Sequence, residues 1–181
     1  MIVNYAFYQI GWLACVLGAA QGHPSSGAAI ALALAGAHVA LVRRRRVEIE
    51  LILCAGGIGA VVDSVQAALG LVTFRSGSLV PWLCPPWIVV LWMQIATLLR
   101  FSLSWVSGRY LLASLLGFVG GPLAFSAGAR LGAADLHPSR VLSYASFAVV
   151  WAAALPLLMR LAERHDAARG SYRWLDGEDG G

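Results

Sequence analysis

Six stretches of apolar residues, most of them near the length a helix needs to cross a bilayer, follow one another with only short polar breaks. They fall at residues 3–20, 27–42, 49–72, 86–103, 110–132 and 141–161. A hydrocarbon core about 30 Å thick takes about 20 helical residues, and within it each backbone polar group must find its partner inside the protein. The spacing predicts an all-α polytopic membrane protein, a bundle of about six transmembrane helices.

Composition supports lipid as the solvent, since 59% of residues are hydrophobic and 12% are charged, about half the charged share of an ordinary soluble domain. Residues 1–164 are expected to form one transmembrane domain, and residues 165–181 a mobile polar tail too poor in apolar surface to offset its ordering entropy. The first run resembles a secretory signal in its small residues Ala19 and Ala20. Met1–Tyr8 carries no basic residue, however, and Gln9 interrupts the run, so a retained helix is expected.

The chain contains no lysine, and its 13 basic residues other than histidine are arginines placed between the runs. Arg43, Arg44, Arg45, Arg46, Arg100, Arg109, Arg160, Arg164, Arg169 and Arg173 fall on one side, against Arg75, Arg130 and Arg140 on the other. By the positive-inside rule both termini are cytoplasmic, and the loops at 21–26, 73–85 and 133–140 face the periplasm or exterior. Trp82, Trp87 and Trp105 fall where interfacial aromatics are expected. Topology accounts for the basic charge, so no nucleic-acid partner is expected. Second-helix arginines snorkel, and Glu48 and Glu50 read as solvated topology charges, with pairing across three or four residues as the alternative. Gln9, His38 and Arg100 belong to the same end, where snorkelling explains the arginine.

Small residues mark where membrane helices approach one another, because lipid tails offer no hydrophobic drive for association. Gly120, Ala124, Gly128 and Gly132 recur at intervals of four, with Gly117 and Gly121 alongside, and that stripe is expected to face another helix. Gly56, Ala60, Ser64 and Ala68 repeat the pattern in the third run. The glycines at 56–59 lie at membrane depth with no preceding strand, so packing explains them rather than phosphate binding. Such stripes also suit a partner helix or a homo-oligomer.

Asp63 is the residue that most invites a function. A carboxylate in an apolar span costs about 2.5–3.5 kcal/mol on insertion scales, and Asp63 shares a helix face with Gly56, Gly59, Gln66 and Gly70. A buried hydrogen-bonded strut is the competing role. Gln94 sits at a similar depth on the fourth run, so Asp63, Gln66, Gln94 and Thr97 can form one network. At the outer end Gln21, His23 and Arg130 gather with Asp135, His137 and Arg140, and Asp63, His23 and Arg130 are the candidate catalytic residues. Gln21, Gln66 and Gln94 are the candidate substrate-binding residues. A histidine before proline in a tight turn also serves simply as a hydrogen-bonding residue at a helix end. Ligand spacing for a metal is lacking and no cofactor is expected; no serine elbow, zinc helix or phosphate loop occurs. Cys15 and Cys54 lie within spans, whereas Cys84 is a lone extracytoplasmic thiol, either packed beneath Pro85 and Pro86 or free for an intermolecular partner.

The run from Gly11 to Pro24, Asp63-Ser64, Gly120-Gly121-Pro122-Leu123 and Gly128-Ala129-Arg130-Leu131-Gly132 together resemble an uncharacterised bacterial inner-membrane family, domain of unknown function 2878. The likeness spans nearly the whole chain. It implies a multi-pass protein of the bacterial inner membrane in an envelope-lipid setting, since genes of the family often neighbour those of lipid methyltransferases resembling cyclopropane-fatty-acid synthases. Some members carry histidine before Ser-Leu-x-Trp, where this chain has Phe101 before Ser102-Leu103-Ser104-Trp105, so the resemblance supports no catalytic histidine there. Residues and resemblance together favour binding or modifying a lipid or other amphipathic molecule at the periplasmic side. A small proton-coupled transporter using Asp63 and a non-catalytic accessory subunit are the alternatives. Asp63→Asn is expected to leave a folded but inactive protein.

Overall fold

A computed structural model describes residues 2–175, with side-chain surroundings for residues 2–164. Six α-helices appear in the order expected: α1 Ile2–Ala20, α2 Pro24–Leu41, α3 Arg45–Ala68, α4 Pro86–Leu99, α5 Tyr110–Arg130 and α6 Arg140–Leu175. All but α4 are long and apolar enough to cross a membrane. A two-stranded antiparallel ladder joins β1 (Val72–Phe74) to β2 (Ala134–Leu136). Helix α6 continues past Arg164, where a polar tail was expected; residues 176–181 and the mobility of that tail lie outside the described residues.

The fourth span departs from expectation. It ends at Leu99 rather than 103 and has 14 residues, about 21 Å at about 1.5 Å per residue. The lost residues lie at the arginine-rich end, where 100–103 run in turns into a short 3-10 helix at Ser104–Val106; at the opposite end α4 starts at Pro86 as expected, after a connector that folds back onto the bundle. Cys84 N–H donates to Ser64 Oγ at 3.0 Å, Ser76 Oγ–H donates to the Ala19 carbonyl at 2.7 Å, and Trp87 Nε1–H donates to the Ser76 carbonyl at 3.1 Å. These bonds anchor the connector where Cys84 and Pro85 are buried, while Leu79 and Trp82 stay exposed. Cys84 is accordingly packed, its burial pushing the thiol above its ordinary range. Trp87, expected at the interface, is 3% exposed and stands edge-on to Phe74, while Trp82 and Trp105 are exposed.

Helices α3 and α5 end on the same face of the bundle, opposite the arginine-rich end, with the same device. Gly70 and Gly132 take φ of 69° and 90°, letting Leu71 N–H and Ala133 N–H turn back to the carbonyls of Gln66 and Gly128. Each cap delivers the chain directly into a strand, and the ladder results. Arg75 makes a bidentate pair with Asp135 beside it, at 2.7 and 2.8 Å. Ser143, fully buried on α6, donates to the Leu71 carbonyl at 2.6 Å and accepts from His137 N–H.

Packing divides into a tight cluster of α1, α2, α3 and α4 and a pair formed by α5 and α6. In the cluster, a Cβ on Gly27 would overlap the backbone of Ala14 and Cys15, and Gly56 lies against Val89 and Met93. Of the α3 stripe, Gly56 meets α4, Ala60 and Ser64 meet Cys84 of the connector, and Ala68 is exposed. The α5 stripe does not meet a helix. Gly117 and Gly121 lie against Trp151 of α6, while a Cβ on Gly120 or Gly128 would meet nothing within 4 Å. The neighbours of the stripe make the helix contact; Gly120 and Gly128 border open space, and Gly132 lies near Arg75 and Ala20.

Candidate functional site

That open space is a cavity of about 210 Å³ between α5 on one side and α1 and α4 on the other. Its wall is almost entirely apolar. Trp12, Ile88 and Leu91 face Gly120, Ala124 and Gly128 across it, and Asp63 and Tyr8 are among its few polar members. Gly120, exposed and midway along α5, places an opening of the cavity at the centre of the span, where the surrounding medium is hydrocarbon.

Asp63 points into the bundle, as its helix face required, and is 1% exposed. Its Oδ1 accepts from Gln66 Nε2–H at 2.9 Å, and its Oδ2 accepts from Trp92 Nε1–H at 2.7 Å. Gln66 Oε1 in turn accepts from Ser146 Oγ–H at 3.1 Å, so the carboxylate ties α3 to both α4 and α6. Gly59 makes this possible, because a side chain there would occupy the space of the Trp92 ring. Trp92 stacks on Trp151 with centroids 4.4 Å apart and planes at 20°.

Gln94 takes no part in that network. Its amide crosses α1 at Gly11 and donates to the Ala31 carbonyl of α2 at 2.5 Å, and Thr97 Oγ–H donates to the Gln94 carbonyl. Equal depth made contact with Asp63 feasible, but α4 turns Gln94 toward α1 and α2 and gives the α3 side to Trp92.

The candidate residues of the outer face remain apart. His23 Nδ1 bonds the Gln21 carbonyl at 2.9 Å within its own turn, preceding Pro24 at the start of α2. Gln21, His23 and Arg130 are exposed, and no hydrogen bond or ion pair links their side chains among the described residues. Asp135 is held by Arg75, and that guanidinium keeps its carboxyl below the usual carboxylate range. No group of three or more His, Cys, Asp or Glu side chains placed to hold a metal occurs among the described residues.

A second polar cluster, at the arginine-rich end, corrects the reading of Glu48 as a solvated charge. Glu48 is 0% exposed; its Oε1 lies 2.9 Å from His38 Nε2, and its Oε2 accepts from Arg100 at 3.0 Å. Asn4 completes the set, donating to the Thr97 carbonyl at 3.0 Å and lying 3.2 Å from His38 Nδ1. Because Asn4 Oδ1 accepts from Ser102 Oγ–H, its amide nitrogen faces His38, which makes Nδ1 the acceptor and leaves Nε2–H to donate to Glu48. Arg100 is therefore a structural ion-pair partner rather than a snorkelling side chain. Local pairing does hold for the next carboxylate, since Arg46 bonds Glu50 at 3.0 Å.

Sequence reasoning missed Asn4, His38, Trp92 and Trp151 as members of these sites. The signal for the first two was a polar side chain inside an apolar run, the same that singled out Asp63.

Several apolar helices, polar groups satisfied internally and a cavity set among apolar walls define a multi-pass membrane protein. A family model described as a protein of unknown function (DUF2878) matches residues 1–157, and the chain belongs to that family. No curated protein and no solved structure matches the chain.

Proposed function

We propose that this protein holds the hydrocarbon portion of a lipid or other amphipathic molecule in the cavity beneath α5, within the bacterial cytoplasmic membrane. The observation that supports it is the opening at Gly120: an apolar cavity reached from the middle of a lipid-facing helix is entered by chains already in the bilayer. Asp63 then faces the occupant from the α3 side, its carboxylate positioned by Gln66 and Trp92. Arg130 follows cavity-lining Gly128 by two residues, and with His23 and Gln21 it meets the headgroup at the periplasmic side. Arginine asymmetry supports that orientation, because Arg43–Arg46, Arg100, Arg109, Arg160 and Arg164 lie at the end opposite Arg75, Arg130 and Arg140.

The test uses the room beside Gly120. Gly120 borders the cavity and a Cβ there meets no neighbour within 4 Å, so Gly120→Leu adds bulk at the opening. Native mass spectrometry of the protein extracted in a mild detergent is expected to show co-purifying lipid on the wild type, reduced at least several-fold on the variant at equal membrane abundance. An empty wild type, or equal occupancy of the two proteins, overturns the reading.

A further inference from the structure

Resting on that cavity reading, we infer that the occupant carries an anionic head, a phosphate or a carboxylate, received by the guanidinium of Arg75 at the end of the gap between α1 and α5. The last residue of α1 to line the cavity is Val16, and the last of α5 is Gly128. One turn further on stand Ala20 and Gly132. A Cβ built on Gly132 would lie 3.7 Å from Arg75 Nη1 and 3.8 Å from the Ala20 Cβ. The guanidinium therefore stands between the ends of the two helices that border the cavity, about 6 Å past its lining at about 1.5 Å per residue. Its backbone is tied to the same wall: Arg75 N–H donates to the Ala133 carbonyl at 3.1 Å, and Phe74, Ala133 and Ala134 all line the cavity.

This cation is held in place without being used up. Its Nε–H and Nη2–H donate to Asp135 at 2.8 and 2.7 Å, and Nη1, the nitrogen beside Gly132, has no partner among the described residues. A guanidinium offers its donors in a planar fork, so a carboxylate engaged along one edge leaves another edge for a second anion. Asp135 is thus the orienting partner. Both side chains are more than half exposed, at 54% and 56%, so a charged head beside them stays in contact with water while its chain lies in the cavity. The surrounding charge has the matching sign. Opposite the arginine-rich end, the loops and helix ends carry Arg75, Arg130 and Arg140, with Asp135 as their acidic residue. The shared chemistry is an anion on an acyl chain, which a phospholipid and a free fatty acid both supply.

The experiment sets two probes in competition on the detergent-solubilised protein, read by native mass spectrometry: a monoacylglycerol phosphate and the uncharged monoacylglycerol of the same chain. Wild type is expected to prefer the phosphate by about two- to fivefold, the range of an exposed ion pair. Arg75→Gln alters an exposed side chain and is expected to bind the uncharged probe as wild type does while losing the preference. Arg140→Gln removes the same charge from the same face, about three turns before Trp151, the first residue of α6 to line the cavity, and should keep the preference. A fatty acid and its methyl ester form a second arm, and the arm that shows the Arg75 dependence identifies the anion. Equal binding of charged and uncharged probes to wild type in both arms, a preference that survives Arg75→Gln, or an equal loss in Arg140→Gln overturns the inference and leaves the cavity reading standing. Binding of none of the probes overturns both.

Discussion

The two parts of this bundle use small residues to opposite ends. In α1 to α4, glycine removes volume so that a neighbouring element can come in: Gly27 admits the α1 backbone, Gly11 admits the Gln94 amide and Gly59 admits the Trp92 ring. In α5, Gly117 and Gly121 do the same for α6, but Gly120 and Gly128 remove volume that nothing refills. Polar groups follow the same division. The cluster is fastened by Glu48, His38, Asn4 and Arg100 at one end and by Asp63 near the other, while α5 contributes no side chain to either network. A small-residue stripe therefore reports close approach of something, and only the polar partners around it distinguish a helix from a ligand.

The largest effect should come from cutting the fastening of the tight half. Glu48→Ala strips His38 and Arg100 of the carboxylate they share, and loss of one member of a buried pair costs about 3–5 kcal/mol. Thermal unfolding in detergent is expected to show that drop, and a change below about 1 kcal/mol would mean that α1 to α4 hold together without the network.

A matched pair of substitutions tests the contrast itself. Gly27→Leu drives a side chain into the backbone of Ala14 and Cys15 and should destabilise by about 1–3 kcal/mol or more. The same change at Gly120 meets open space and exchanges glycine for a better helix former, worth up to about 1 kcal/mol in the other direction. Opposite signs in the unfolding midpoints are the expected result; equal losses would show that α5 is as tightly packed as α2.

The smallest effect belongs to the outer clip, where both partners are exposed. Asp135 titrates below its unfolded value because Arg75 holds it. Whatever stability the pair contributes is thus present above about pH 4, the ordinary aspartate range, and lost as pH falls through the lower folded value. Asp135→Asn should lower the midpoint only slightly at neutral pH, and the difference between variant and wild type should vanish in acid. A difference that grows on acidification would contradict the pairing.

What could be read from residues alone was the part set by the solvent. Spans one, two, three and five begin and end within about four residues of their expected limits, because a hydrocarbon slab imposes length and because Gly22-His23-Pro24 and the arginine block end helices locally, whereas α6 starts where expected and runs on to Leu175. Asp63 faces inward because periodicity fixes a face. The rest depended on which helix lies beside which. Glu48 sits four residues after Arg44 and two after Arg46, so sequence suggested local charge balance; its partners come from α2 and from just beyond α4. Gln94 and Trp92 lie two residues apart, and no periodic rule says which of them meets Asp63. The shortening of α4 was hidden because Phe101 and Leu103 prolong the apolar run past Arg100, although the chain there turns away from the helix.

The attachment of α5 has a mechanical consequence. At one end, Tyr110 O–H and Gly108 N–H bond Glu163 of α6; at the other, the chain passes through Gly132 into the ladder with β1. Between these pins its side toward α1 is bordered by the cavity, and Pro122 offers no N–H to the carbonyl of Phe118. A rod pinned at both ends and weakened near its middle bows most at its middle, and here the middle is Gly120. Any widening of the gap beside α5 is therefore expected first at Gly120, midway between the two pins, and on the proposed reading the acyl chains pressing on that stretch resist it.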